Sequence, residues 1–266
     1  MKAVPLRAPR ILAAVAVPLA LAGCATVAQP NPRDPWEGFN RRSYEFNEGV
    51  DRIVLKPAAT FYREKVPPLI RTGVSNFFGN LGDAWSAVNS LLQFRLQHFS
   101  DNYARFQLNT SFGILGIFDL ASDLNIDRHR EDFGQTLGRW GVPAGPYVVL
   151  PLLGPSTLRD TIALPVEYRF DLVRTVDSAG LRAGLQTLRA IDARANLIRV
   201  GNVLEEVSLD KYSFTRDAYL QRRRAEVFDR EEDREVPPPL PDESLEPAPA
   251  APPAVPAGQP QPAPAR

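Results

Sequence analysis

Chemistry at neutral pH needs a nucleophile, a proton carrier or a set of metal ligands, and this 266-residue chain is poor in all three. Its near-neutral bases are His98 and His129, and its one thiol is Cys24, so no disulfide can close within the chain. The hydrolase elbow G-x-S-x-G is missing, because Gly154-Pro155-Ser156-Thr157-Leu158 lacks the second glycine. His129-Arg130-Glu131-Asp132 puts acids beside a histidine, yet cations flank the ring and nothing else completes a ligand set. It reads as a solvated charged turn, and His98 as an ordinary helix histidine. The expectation is a protein that is not an enzyme, with no catalytic residue, no metal and no diffusible cofactor.

The informative residues are apolar. Phe133–Asp160 reads FGQTLGRWGVPAGPYVVLPLLGPSTLRD, with no charge from Trp140 to Leu158. Gly134, Gly138, Gly141, Gly145 and Gly154 alternate with Pro143, Pro146, Pro151 and Pro155. Proline lacks an N–H and clashes inside a helix, while glycine permits angles other residues avoid. The expectation is an irregular apolar insert with one short extended piece at Tyr147–Leu150. Lipid tolerates irregular backbone only where protein or water satisfies it, which suggests a wall or lining. A buried loop of a globular domain is the other reading of the same composition.

At the N-terminus, Lys2, Arg7 and Arg10 precede the apolar run Ile11–Ala22, too short to span a bilayer as a helix. It reads as a signal peptide, residues 1–23. Leu21-Ala22-Gly23-Cys24 resembles a bacterial lipobox, which implies a covalent lipid anchor on Cys24. Each buried CH₂ contributes about 0.8 kcal/mol, so acyl chains on that residue would anchor stably. Ala25 rather than Asp at the next position favours the outer membrane. Cleavage removes three of 31 basic residues against 31 acidic ones, a net charge of −3. That balance argues against nucleic-acid binding, which requires a basic surface.

The elements that position these residues read as helices. Residues 24–33 form a polar tether. Asp34-Pro35 fits a helix start, with Asp as the N-cap, and Trp36, Phe39, Phe46 and Val50 fall on one face. Ile70, Val74, Phe77, Phe78 and Leu81 mark a second amphipathic helix. Trp85, Val88, Leu92, Leu96, Phe99, Tyr103 and Phe106 extend the stripe, with a break expected at Ser100-Asp101. Phe112–Ala121 is apolar nearly all round, so it is either fully buried or in contact with lipid; too short to span, it could lie flat in one leaflet. Leu181, Leu185, Leu188, Ile191, Ala195 and Ile198 mark a further helix, and Ser208 or Asp210 caps a last one ending near Phe228. From Val236 a Pro/Ala-rich run has nothing to bury, so residues 231–266 are expected to be a disordered tail. The folded domain is placed at 34–230 and its class as all-α.

The run FGQTLGxWGVxxGPYxVLPLLGPSTLRD resembles the signature of the MlaA (VacJ) family of outer-membrane lipoproteins. Asp34, Pro35, Glu37, Asn40 and Arg41 match the family's opening D-P-x-E-x-x-N-R pattern. Tyr212, Arg216, Ala218, Tyr219, Gln221 and Arg222 match its Y-x-x-x-R-x-A-Y-x-Q-R pattern. After Asp160 the chain departs from the family's usual glycine and continues Thr161-Ile162-Ala163-Leu164-Pro165. The resemblance implies a ring of amphipathic helices lying in the periplasmic leaflet of a Gram-negative outer membrane. It implies removal of phospholipid from the outer leaflet through an amphipathic channel, which maintains lipid asymmetry. The partners it implies are phospholipids, trimeric porins and a soluble periplasmic lipid carrier. Channel-lining candidates are Trp140, Tyr147, Val148, Val149, Leu150, Leu152 and Leu153. The alternative is a structural lipoprotein that scaffolds porins or the envelope without moving lipid.

Overall fold

The computed structural model describes residues 31–228 apart from Leu209, and backbone only for residues 202–207. The signal peptide, Cys24, most of the tether and the Pro/Ala-rich tail lie outside the described residues. Helix α1 (Glu37–Val50) passes through a five-residue π-helical step (Asp51–Leu55) into α2 (Lys56–Lys65) without leaving helical angles. The wider turn rotates the faces of α2 relative to α1, and Asp51 in the step pairs with Arg194 at 2.6 Å. Pro67 is extended, and α3 (Pro68–Leu92) opens on Pro68, where its missing N–H costs nothing. There follow α4 (Leu96–Ser111), the short α5 (Leu120–Asp123) and α6 (Phe133–Arg139). Strands β1 (Tyr147–Leu150) and β2 (Gly154–Thr157) form an antiparallel hairpin that pairs Tyr147 with Thr157 and Leu150 with Gly154. Then come α7 (Leu158–Phe170), a 3₁₀ turn (Leu172–Thr175), α8 (Ala179–Val207) and α9 (Lys211–Val227). The dominant class is all-α, and among the described residues no helix is long and apolar enough to cross a membrane.

Three local expectations give way. The break between the long helices falls at Gln93–Arg95, where Phe94 has φ +59°, while Ser100 and Asp101 sit inside α4. The buried Gln93 and Arg95 side chains both bond Glu131, which anchors the corner there. The insert is more regular than its glycines and prolines suggest: Phe133–Arg139 is helical, and α7 runs through Pro165 without ending. Asp34 does not cap α1 with its side chain, because that carboxylate is taken by Asn40, Tyr212 and Arg216.

The packing inverts the usual pattern. Helices α3 and α4 lie along each other and α2 lies along α8, but what α3 and α4 bury is largely polar. Asn80, Asn89, Asn102 and Asn109 expose 1 % of their surface or less, whereas Phe94 exposes 81 %. Trp36, Phe39 and Phe46 of α1, Ile70 and Leu91 of α3 and Leu96 and Tyr103 of α4 are likewise exposed. Exposed apolar residues scattered singly are ordinary; buried polar groups together with a broad exposed apolar surface are not. Apolar cores are small. One joins Ala59 and Tyr62 of α2 to Ala195 and Ile198 of α8, and the other gathers Tyr147, Val149 and Tyr212.

The buried polar side chains have a job, which is to satisfy the irregular segment after α5. Arg105 reaches the carbonyl of Ile126, Asn102 brackets His129 through both N–H and C=O, and Ser86 does the same for Glu131. Asn109 accepts the Ala121 N–H and donates to Asp119. Buried backbone groups must find partners, and here side chains of α3 and α4 supply what a sheet would. His129-Arg130-Glu131-Asp132 is therefore no solvated turn. Glu131 is buried against Arg95 at 2.7 Å, and the His98 and His129 rings stack 3.8 Å apart.

Candidate functional site

The insert closes onto both ends of the folded body. Asn40 of α1 accepts from the Val149 N–H at 2.8 Å and donates to the Tyr147 carbonyl at 3.0 Å. Two turns on, Asn47 donates to the Leu150 carbonyl at 3.0 Å and accepts from the Leu152 N–H at 2.7 Å. Two asparagines at i and i+7 share a helix face, so α1 presents two amides where a third strand would lie. The edge of β1 facing away from β2 is thereby hydrogen-bonded by side chains. Asn40 also donates to Asp34 at 2.7 Å. Asp34 in turn accepts from the Tyr212 hydroxyl and pairs with Arg216 at 3.4 Å. The opening pattern of the domain and its closing pattern thus meet at one buried carboxylate. Arg41 completes the junction, stacking on the Tyr212 ring at 4.4 Å and pairing with Asp210 at 2.7 Å.

On the other side of the hairpin lies a cavity of about 400 Å³, bounded by α6, β2, α7 and α9. Its helix ends are tightly set. Asp132 caps α6 through the Gln135 N–H, and Thr157 caps α7 through the Asp160 N–H. Arg223 of α9 reaches across to both. It forks onto Asp132 with two bonds of 2.6 Å, onto Asp160 at 2.9 and 3.1 Å, and onto Glu226 at 3.1 Å. Tyr219 donates to Asp160 at 2.9 Å. Gly134 is required here, because a Cβ would stand 2.5 Å from Asp160 Oδ1 and 2.6 Å from Arg223 Nη2. Burial works against the charge on Asp160, but the hydrogen bonds and charge of Arg223 outweigh it and hold the carboxyl below the usual range. Glu167 differs. Burial pushes its carboxyl up, the N–H groups of Phe133 and Trp85 only partly offset this, and it forms no ion pair among the described residues. Pro155, Ala163 and Leu164 line the same cavity, Ala163 and Leu164 on the α7 face that also carries Asp160 and Glu167, so charged and apolar groups are interleaved along its lining.

The seven expected lining residues fall into separate sets. Tyr147 and Val149 are fully buried, packed with Tyr44, Tyr212, Tyr219 and Leu220. Val148 and Leu150 are half-buried. Leu152 and Leu153 are exposed at the hairpin tip, where Leu152 has φ +66°. Trp140 is exposed as well, its indole donating to the Leu92 carbonyl at 3.0 Å and meeting Phe133 edge-on. Residues that sequence reasoning passed over include Asn47, Glu167 and Arg223. Only Asn47 carried a signal, its seven-residue spacing from Asn40. Among the described residues no group of three His, Cys, Asp or Glu side chains is placed to hold a metal ion.

A second exposed apolar feature stands apart from the hairpin. Phe112, Ile114, Leu115, Ile117 and Phe118 all project outward from a turn in which Ile114, Leu115 and Gly116 have φ of +52°, +57° and +90°. The turn is pinned from within by backbone bonds, Gly116 N–H to Asn109 and Phe118 N–H to Gly113. Gly116 also lies against Asn80, which a Cβ would meet at 2.4 Å.

Comparison with known proteins adds a further line. The sequence profile of a family described as MlaA lipoprotein matches residues 32–226. The intermembrane phospholipid transport system lipoprotein MlaA of Escherichia coli (strain K12) is 38% identical over 208 residues, covering 76% of this chain and 82% of the relative. The protein of the same description from Haemophilus influenzae is 36% identical over 231 residues, covering 82% and 90%. A solved structure, from work on the structural basis for maintenance of bacterial outer membrane lipid asymmetry, superposes with a TM-score of 0.65 at 35% identity. It covers 73% of this chain and 98% of that one.

Proposed function

The chain belongs to the MlaA lipoprotein family, and from that premise we propose that it moves phospholipid at the outer membrane of a Gram-negative bacterium. It takes phospholipid from the outer leaflet and passes it toward the periplasm, which maintains lipid asymmetry. The observation that carries this reading is the inverted distribution of side chains. Apolar residues face outward on α1, α3, α4 and the 112–118 turn, while asparagines, carboxylates and guanidiniums lie inside. Such a body suits a hydrocarbon surround, and its described helices, none of them both long and apolar enough to cross a membrane, would lie within one leaflet.

A phospholipid that changes leaflet must bring its headgroup past hydrocarbon, at a cost of several kcal/mol without polar partners. A passage whose lining carries both charged and apolar groups reduces that cost with no bond made or broken. The cavity beside the hairpin has both kinds of group, and the exposed Trp140, Leu152 and Leu153 adjoin α6 and β2, two of the elements that bound it. Tyr147, Val148, Val149 and Leu150 act as the frame that holds these residues in place. Cys24 carries the lipid anchor. The immediate partners are trimeric porins in the membrane plane and a soluble periplasmic carrier that receives the lipid. Catalysis has no part in this reading.

The test is surface-exposed phospholipid in a strain lacking the gene, complemented with the wild-type chain or with Cys24→Ala. Deletion is expected to raise outer-leaflet phospholipid, and only the wild type to lower it again. Unchanged asymmetry with a weakened envelope would instead establish a scaffolding lipoprotein and end the transport reading.

A further inference from the structure

The proposed passage is charged, and its charges are unequal. Asp132, Asp160, Glu167 and Glu226 face Arg222 and Arg223, leaving a net charge of −2 on the lining. Coulombic balance alone therefore disfavours a purely anionic headgroup. The hydrogen bonds make the point more sharply. A guanidinium has five N–H donors, and Arg223 makes five bonds, all to carboxylates: two to Asp132, two to Asp160 and one to Glu226. No donor of Arg223 remains for a phosphate. Arg222 pairs with Glu226 at 2.6 Å and leaves three-quarters of its side chain exposed, so it can meet a phosphate only at the margin.

The unused capacity is on the acceptor side. Glu167 receives one N–H on each oxygen, from Phe133 and from Trp85. An ionised carboxylate has about four lone-pair positions. Half of that capacity remains open beside the apolar side chains of Pro155, Ala163 and Leu164. The group that fits is a cation carrying N–H donors, with a phosphate on its far side and apolar matter next to it.

We propose that the cavity selects lipids with a primary ammonium headgroup, of the phosphatidylethanolamine type, with Glu167 accepting the ammonium and Arg222 meeting the phosphate at the rim. This rests on the lipid-transfer reading above and names the lipid class that passage prefers. Burial already works against the charge of Glu167, so an arriving ammonium is the partner its surroundings lack. A phosphatidylglycerol headgroup offers only hydroxyls there and adds a negative charge to a site already negative.

The experiment uses the full acylated chain in detergent, exposed to mixed micelles holding equal dioleoyl phosphatidylethanolamine and dioleoyl phosphatidylglycerol. Retained lipid is extracted and quantified by mass spectrometry. The wild type is expected to retain ethanolamine lipid over glycerol lipid by about fivefold, within the range of one charge-assisted hydrogen bond in a partly screened site. Glu167→Gln is expected to lower the ethanolamine lipid retained, with the glycerol lipid unchanged, and so to bring the ratio near one. Glu226→Gln, whose side chain caps nothing in the helix frame, is expected to lower it by about half and stands in if the first variant misfolds. Glycerophosphoethanolamine at equal concentration is expected to leave retention unchanged; displacement by it would reassign the site to a soluble ligand. Lipid retained in equal amounts, or with glycerol lipid ahead, overturns the headgroup inference alone. A protein that retains neither lipid overturns the transfer reading and this inference with it.

Discussion

At the scale of the residue, Arg223 is the most heavily engaged side chain in the molecule. Its guanidinium is partly buried between Asp132 and Asp160, so removing it strands two carboxylates. Breaking one partner of a buried pair costs about 3–5 kcal/mol, and Arg223→Ala should lose that order of stability. Arg223→Lys should fall between, keeping the charge without the fork. Chemical denaturation in micelles measures both, and a loss under about 1 kcal/mol for the alanine variant would show that the network does not hold α9. Asp119 gives a pH prediction. Burial opposes its charge, but bonds from Ser122 and Asn109 and the charges of Arg105 and Arg128 bring the carboxyl down to about 2. A carboxyl depressed in the fold stabilises fully above its ordinary value of about 3.9, and that contribution is lost as pH falls toward 2. Thermal unfolding should therefore drop between about pH 4 and pH 2, and Asp119→Asn should flatten that limb. Tyr219 and Asp160 stood out in the sequence as members of motifs. Their pairing did not, because it spans 59 residues and depends on how α9 returns.

At the scale of the element, the apolar run after α4 shows what pattern can and cannot yield. Its all-round hydrophobicity and shortness were legible, and left it either fully buried or in contact with lipid. Its backbone was not, because Ile114 and Leu115 are residues that positive φ disfavours, held there by backbone bonds to Asn109, Thr110 and Gly113 and by the Asn76 and Asn80 amides of α3. If the turn dips into lipid, Leu115→Asp should cut vesicle binding of the Cys24→Ala chain by tenfold or more. A charge placed in hydrocarbon costs about 2.5–3.5 kcal/mol on insertion scales, while melting in micelles should stay the same. Flotation with vesicles reads the first and circular dichroism the second; unaltered flotation would place the turn outside the membrane. The hairpin teaches a related lesson. Tyr147–Leu150 was legible as an extended piece, but Gly154–Thr157 was not, since Gly and Pro are poor strand formers. It pairs because Asn40 and Asn47 fix β1 from behind and leave β2 its natural neighbour.

At the scale of the whole molecule, the helical class and the stretches of α1, α3, α4, α8 and α9 followed from a period of 3.6 and from segment length, whereas α2, α6 and α7, which carry or border prolines and glycines, did not. Which face turns inward did not follow. Periodicity gives the angle of an apolar stripe around a helix and says nothing of its sign, so the stripes on α1 and α3 read equally well as core or as exterior. The missing information lay in the opposite faces. Asn80, Asp83, Ser86 and Ser90 recur at spacings of three and four along α3, a polar stripe as regular as the apolar one. A helix that keeps polar side chains in register has something polar to hold, here the segment from Asp119 to Asp132.

The junction at Asp34 has a mechanical consequence. With Cys24 as the proposed anchor, residues 24 to 34 form a leash that reaches at most roughly 35 Å. Tension on that leash meets the Arg33 carbonyl, held by the Tyr147 N–H, and then Asp34, where Asn40 belongs to α1 while Tyr212 and Arg216 belong to α9. The load is therefore shared at once between the first and last helices. A tug from the membrane tightens the two ends against each other rather than unzipping the chain from its beginning. The body hangs from a knot tied at both of its ends.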